Sequence, residues 1–295
     1  WVLGKALYLV DSLPEEDRHA LLLKTEISQE EIQRWRDMTA KMAVSMDNEG
    51  LLEQFAGYNN LRELNWEEYR QKYDNIQRID RILKAEGLSP DDFKVAKQAD
   101  VVLLFYLLNE QELDEIFGKL GKPFNKNIMR KNYDYYEART SHGSTLSRVV
   151  HSYVGQFLGY TKKSEKFFRE VLESDIHDIQ GGTTQEGIHV GAMAGSLELV
   201  LRCFAGLSIR EDRISFSPRL PEGWNRLKFQ VRYKNVWFSV VITRQIIDIV
   251  AEPLKAISLL PATNIPIEIN NREYRLKRGK HLVVTYLTKK EKRIQ

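Results

Sequence analysis

Leu227-Lys228-Phe229-Gln230-Val231-Arg232-Tyr233-Lys234-Asn235-Val236-Trp237-Phe238-Ser239-Val240-Val241-Ile242 is the stretch that decides the fold. Leu227, Phe229, Val231 and Tyr233 recur at every second position, as do Val236, Phe238, Val240 and Ile242. A strand turns successive side chains to opposite faces, so a period of two marks a sheet with one buried face. Lys234-Asn235 separates the two runs and reads as a turn. The same period appears at Ile214 and Phe216, at Ile265, Ile267 and Ile269, and at Leu282, Val284 and Tyr286. Asn270-Asn271 and Arg278-Gly279 supply further turns. Residues 208–295 therefore read as a compact antiparallel β module ending in a charged tail, Lys289–Gln295.

Upstream of about Leu207 the apolar spacing is helical. Leu13-Pro14-Glu15-Glu16 starts a helix with proline and two acids in its first turn. Ser28-Gln29-Glu30-Glu31 has capping-box spacing, and Ile32, Trp35, Met38 and Met42 follow it at helical intervals. Asn65-Trp66-Glu67-Glu68 and Ser89-Pro90-Asp91-Asp92 open two more. About eight to ten helices are expected before residue 207, with no fixed repeat. Long helices joined by medium loops suggest a helical barrel, or part of one. The fold class is mainly α with a small C-terminal β domain, divided into residues 1–207 and 208–295.

A chain of 295 residues is about two domains and can bury a sizeable core. Its single cysteine, Cys203, excludes an intrachain disulfide, and no Cys/His cluster has zinc spacing. With 44 basic against 41 acidic residues, nothing calls for nucleic acid. The longest apolar run, Val101–Leu108, is less than half a membrane span. Trp1–Val10 reads as an amphipathic helix with no basic n-region or cleavage site. A chain that opens inside a helix is expected to be a piece of a longer one.

Three segments carry candidate chemistry. Gly181-Gly182-Thr183-Thr184-Gln185-Glu186-Gly187-Ile188-His189 sets glycines and hydroxyls before a helix, with Thr183 and Glu186 at capping-box spacing. Glycines admit close backbone approach, and free N–H groups at a helix start favour an anion. The plainer reading is a well-capped buried helix in which Glu186 is a cap. Thr140-Ser141-His142-Gly143-Ser144-Thr145-Leu146-Ser147 is a second hydroxyl-rich start, with Leu146, Val149, Val150, Tyr153 and Phe157 along one face after it. Ordinary capping explains it by itself. Two such starts, each with a histidine, suit one oxyanion, and phosphate is the obvious guest. Neither has the lysine spacing of a P-loop. The third segment, Lys97-Gln98-Ala99-Asp100, leads into the apolar run Val101–Leu108. A helix apolar all round is expected to be internal, which puts its polar start where core meets cavity. A lysine and an amide there suit sugar hydroxyls, or simply a helix end reaching solvent.

In this order the three segments resemble glycoside hydrolase family 65, the inverting phosphorylases of maltose, trehalose, kojibiose and nigerose together with some hydrolases. The matching strings are Lys97-Gln98-Ala99-Asp100-Val101, Tyr135-Tyr136-Glu137 with His142 to Ser147, and Gly182 to His189. Gln54-Phe55-Ala56-Gly57-Tyr58 is similar to a further family pattern, and Trp1–Val10 resembles the helix that follows the family's acid-bearing loop. The resemblance implies the later helices of an (α/α)6 barrel followed by the C-terminal β domain. It implies a substrate site at Lys97 and Gln98. It also implies a phosphate cradle at His142, Ser144, Thr145, Thr183, Thr184, Gly187 and His189. The family's general acid, a glutamate in a Gly-Pro-Asp-Glu-like string, has no counterpart here, so no catalytic residue is assigned and the chain by itself is expected to be inactive. His142-Gly143 departs from the commoner His-Asp pair, and Thr145 from a commoner Ser.

An inverting hydrolase needs a base to activate water, whereas a phosphorylase needs only the acid and donors that hold phosphate in line. The candidate strings offer hydroxyls, glycines and histidines, which favours phosphorolysis unless Glu186 turns inward. The alternatives are a hydrolase fragment, or an inactive sugar- or anion-binding helical module. Disaccharide and inorganic phosphate are the implied partners. No metal or organic cofactor, nucleic acid or membrane is implied; a homo-oligomer and a cytoplasmic location are expected. Trp35, Trp66, Trp224 and Trp237 are expected to pack, His151 and His177 to be satisfied polar residues, and Cys203 to be a small core residue.

Overall fold

The computed structural model describes residues 1–182, 184–210, 212–252 and 265–286; Thr183 and the charged tail fall outside them. The chain forms two compact units, Trp1–Val154 with Gln180–Gly182, and Gly155–Ile179 with Thr183–Gln295.

The described residues hold eleven α-helices, one more than the sequence count allowed. They are α1 (Val2–Ser12), α2 (Glu15–Thr25), α3 (Gln29–Lys41), α4 (Trp66–Lys72), α5 (Ile79–Ala85), α6 (Val101–Leu107), α7 (Glu110–Lys119), α8 (Lys126–Glu137), α9 (Thr145–Leu158), α10 (Thr161–Glu173) and α11 (Val190–Glu198). The starts read from sequence at α2, α3 and α4 are present. Ser28 Oγ accepts from the Glu31 amide at 3.2 Å, and Asn65 Oδ1 accepts from that of Glu68 at 3.3 Å. Ser28→Ala removes one such cap from an exposed helix end. We expect it to lower stability by about 1 kcal/mol, read as a shift in the urea midpoint with an unchanged slope.

In the first unit Leu7, Val10, Leu22 and Ile32 form one core cluster, with Trp35 packed against it. Leu64, Tyr69, Ile79 and Leu83 form another, with Trp66 against it. Three helix expectations need correction. Ser89-Pro90-Asp91-Asp92 makes only a single 3-10 turn, Pro90–Asp92. The backbone around it is taken by Arg62, which bonds Asp92 O at 3.0 Å and receives Lys94 N at 2.8 Å, so Phe93 is drawn out extended. The apolar helix α6 is not internal throughout: Val102 and Phe105 are buried, but Leu107 is 63% exposed. One side of it borders an open groove of about 1020 Å³, whose lining includes Tyr8, Met42, Phe55, Val101 and Leu104. Finally, on α9, Val149, Val150 and Val154 are buried, whereas Leu146 and Phe157 are exposed.

The second unit carries α10, α11 and eight strands: β1 (Ser208–Ile209), β2 (Ile214–Phe216), β3 (Arg226–Tyr233), β4 (Val236–Thr243), β5 (Ile246–Glu252), β6 (Ile265–Ile269), β7 (Arg272–Leu276) and β8 (His281–Thr285). They form two four-stranded sheets, ordered β1-β2-β6-β7 and β3-β4-β5-β8. Pairing is antiparallel except for β2 with β6, which run parallel with Ile214 opposite Ile267. That corrects the uniformly antiparallel expectation: a parallel pair needs a long connection, and here it is the whole of β3 to β5. The period-two residues are the core, with Val236, Phe238, Val240 and Ile242 fully buried alongside Ile214, Phe216 and Ile265. Lys234-Asn235 and Asn270-Asn271 take positive φ at both residues, as tight hairpins require. Trp224 sits edge-on to Phe204 at 5.5 Å, but Trp237 is 38% exposed because it lies on the opposite face of β4 from the core. Gly206, at φ 62, begins the run into the sheets; a Cβ there would stand 2.1 Å from Ser217 O, so only glycine fits.

Candidate functional site

Two of the three candidate segments are pinned together by backbone. Ser141 N donates to Ala96 O and Ala96 N donates to Arg139 O, both at 2.8 Å, so Ala96 and Thr140 run side by side. This sets the Lys97-Gln98 start beside the His142 loop. The approach is close: a Cβ on Gly143 would lie 3.2 Å from Lys97 Cγ and 2.6 Å from Gln77 O. Lys97 and Gln98 are exposed, Ser144 and His142 half-buried, and Thr145 buried.

The His142 loop is held in a strained form. His142 has φ 56, the left-handed region that costs a non-glycine residue energy and persists only where surroundings fix it. They do so here. Its Nδ1 meets Ser147 Oγ at 3.0 Å. Its carbonyl accepts from Arg148 Nη1 at 2.9 Å and from Gln180 Nε2 at 3.2 Å. Arg148 is buried on α9, and its other guanidinium nitrogen bonds Gln77 Oε1 at 2.7 Å. Gln180 is thereby tied to the same loop within the first unit, and Gly181 and Gly182 after it lie against Asn75 and Arg81. The segment Asn75 to Arg81 touches the His142 loop and Gly181–Gly182, and no feature of the sequence had marked it.

Asp100 begins α6 and lines the groove of the first unit, as does Gln54. The Gln54 amide donates to one Asp100 oxygen, and Gln98 Nε2 lies 3.5 Å from the other. Burial pushes the Asp100 carboxyl above its ordinary range, opposed by these two amide donors.

In the second unit the glycine string departs from its expected helix. Thr184–Glu186 is a single 3-10 turn, Gly187 has φ 98, and α11 starts only at Val190, with His189 at its N-cap. The positive φ of Gly187 ends the turn before a helix can propagate. Thr183, half of the supposed capping box, lies outside the described residues. Thr184 Oγ1 is buried with no hydrogen-bond partner among them. His189 is tied to Asp175, a residue that carries no signal of its own in the sequence. Its backbone N–H bonds Asp175 Oδ2 at 2.9 Å, and its Nδ1 meets Asp175 Oδ1 at 2.6 Å. Its Nε2 lies 3.8 Å from Glu186 Oε2. Burial pushes the Cys203 thiol up to about 12, so it stays protonated and unreactive. Among the described residues no group of three or more His, Cys, Asp or Glu could hold a metal ion.

The described residues thus form a helical part followed by a two-sheet β module. Residues 1–198 match the glycosyl hydrolase family 65 central catalytic domain, and residues 207–276 match the family's C-terminal domain. The chain belongs to glycosyl hydrolase family 65, and its helices are a portion of the (α/α)6 catalytic barrel. It is 44% identical over 254 residues to an uncharacterized glycosyl hydrolase of Mycobacterium tuberculosis, covering 85% of this chain and 19% of that one. It is 39% identical over 217 residues to the trehalose 6-phosphate phosphorylase of Lactococcus lactis, covering 74% and 28%. A solved structure of a candidate kojibiose phosphorylase from the human microbiome superposes with a TM-score of 0.72 at 24% identity, covering 96% of this chain and 38% of that one, and shows the shared fold. The chain thus spans between about a fifth and two fifths of the length of these proteins.

Proposed function

We propose that this chain is the C-terminal part of an inverting disaccharide phosphorylase. It carries the phosphate cradle and part of the glucose subsite; the general acid resides on barrel residues that precede Trp1. In the reaction a phosphate oxygen attacks the anomeric carbon of an α-glucosidic disaccharide. The glycosidic C–O bond breaks, and the acid protonates the leaving oxygen. The products are β-glucose 1-phosphate and the free sugar. Lys97 and Gln98 hold the glucosyl hydroxyls. The cradle comprises His142, Ser144, Thr145, Thr183, Thr184, Gly187 and His189, on a helical catalytic part ending near residue 207. Phosphorolysis keeps the sugar phosphate inside a cell, so we place the enzyme in the cytoplasm, as an oligomer. No helix among the described residues is long and apolar enough to cross a membrane.

The observation that carries this reading is the pairing of Ala96 with Ser141, which sets the Lys97-Gln98 start against the His142 loop. Phosphorolysis needs those two guests side by side. The relatives named as phosphorylases support the reaction class. A hydrolase would need a base for water; Glu186, on its exposed turn, is the carboxylate to test for that role.

The test joins the chain to the preceding barrel residues of its own protein and measures release of β-glucose 1-phosphate from disaccharide plus phosphate. We expect turnover from the joined protein and none from the chain by itself. His189→Ala and Ser144→Ala each remove a donor to a charged guest. That is worth roughly 1.5–3 kcal/mol, so each is expected to raise the KM for phosphate about tenfold or more. Release of free glucose with no phosphate dependence would establish the hydrolase instead.

A further inference from the structure

We infer that Asp175 is the positioning residue that sets the ring of His189 for phosphate. The inference rests on the cradle reading and adds to it a residue outside the matched strings. Asp175 grips His189 twice, at the backbone N–H and at Nδ1, at 2.9 and 2.6 Å. A two-point hold of this kind fixes both where the residue sits and which way its ring faces. A carboxylate can only accept, so it selects the form in which Nδ1 carries a proton. Nε2 is then the ring nitrogen left for a guest.

The other carboxylate near the ring does not compete for this role. Glu186 Oε2 stands 3.8 Å from Nε2, beyond hydrogen-bond length, and its side chain is 54% exposed. The Asp175 side chain is 11% exposed. A shielded pair holds its geometry where an exposed one is averaged by solvent. The hold also replaces a missing helix cap. His189 is the N-cap of α11 but makes no side-chain cap bond, so the start of the helix is anchored from behind, by Asp175. Asp175 lies just beyond the end of α10, so the carboxylate ties two consecutive helices of the second unit at the cradle histidine.

The experiment uses the 15N-labelled 295-residue chain and inorganic phosphate. In the wild type the His189 ring resonances should show a protonated Nδ1, and phosphate should move Nε2. In Asp175→Ala the two ring forms should mix and phosphate affinity should fall about tenfold. Asp175→Asn keeps an oxygen acceptor and should lose only a few-fold; it also serves if the alanine variant fails to fold. His189→Ala separates the two ideas. If it weakens phosphate binding while both Asp175 variants keep the wild-type ring signature and affinity, the positioning role is overturned and the cradle stands. If His189→Ala leaves phosphate binding unchanged, the cradle reading fails and the inference with it.

Discussion

Gly143→Asp is expected to lower stability by about 1–3 kcal/mol, the usual cost of forcing atoms into a packed site, and to abolish measurable phosphate binding. The reason is space first and charge second. A Cβ on Gly143 would meet the Gln77 carbonyl oxygen at 2.6 Å, Lys97 Cγ at 3.2 Å and Arg78 Cδ at 3.5 Å. The lysine and arginine stems can swing, but the carbonyl belongs to a backbone whose neighbouring side chain is bonded to buried Arg148. The loop must therefore lift away, and with it the pairing of Ala96 and Ser141. Gly143→Ala isolates the steric part: it should cost a similar amount of stability and weaken phosphate without eliminating it. The aspartate adds a negative charge beside Lys97, on the loop proposed to hold phosphate. Urea unfolding and calorimetric phosphate titration of both variants test this. Wild-type stability in both would show that the loop is not packed as described.

The β module was legible in the sequence because its signal is local. Alternation and hairpin residues act over two to eight positions, and Lys234-Asn235 and Asn270-Asn271 turn where their composition dictates. What escaped was what locality cannot carry. The strand β7, Arg-Glu-Tyr-Arg-Leu, has too little apolar character to show a period; its partner β6 makes it a strand. The parallel join of β2 and β6 spans some fifty residues and leaves no mark on either. Among the helices, caps at Ser28 and Asn65 were readable because a side chain satisfies an amide three positions on. Ser89 had the same signature, yet Arg62 claimed the backbone beyond it.

The candidate site divides in the same way. The resemblance marked the loops, and the structure pairs the Lys97 and His142 strings through bonds at Ala96. The residues that hold those loops were invisible. Gln77, Arg148, Gln180 and Asp175 are ordinary polar residues in sequence; their work appears only when a chain separation of up to 71 residues closes, as between Arg148 and Gln77. The helix expected at Thr184 failed for a local reason that competes with the cap: Gly187 at positive φ breaks the turn.

Arg148→Met is the second large effect. The side chain is 1% exposed, and methionine fills much of its volume, so the change chiefly removes donors. Gln77 Oε1 loses its 2.7 Å bond and the His142 carbonyl its 2.9 Å bond to Arg148, while the bond from the Gln180 amide to that carbonyl remains. A hydrogen bond to a charged group is worth roughly 1.5–3 kcal/mol, and less where the acceptor is half-buried, as Gln77 and His142 are. The release of strain at His142 moves in the same direction functionally, because one of the bonds that hold that residue at φ 56 is lost. We expect a stability loss of about 2–3 kcal/mol and a phosphate affinity reduced at least tenfold, although Arg148 belongs to none of the matched cradle positions. Arg148→Lys retains the charge but not the planar fork that serves two acceptors at once. If positive charge alone mattered, lysine would restore phosphate binding. If the fork matters, as the two bonds to separate segments require, lysine should recover little of it and the thermal midpoint should stay low. A methionine variant as stable as the wild type, binding phosphate equally well, would show that the loop stands without its arginine.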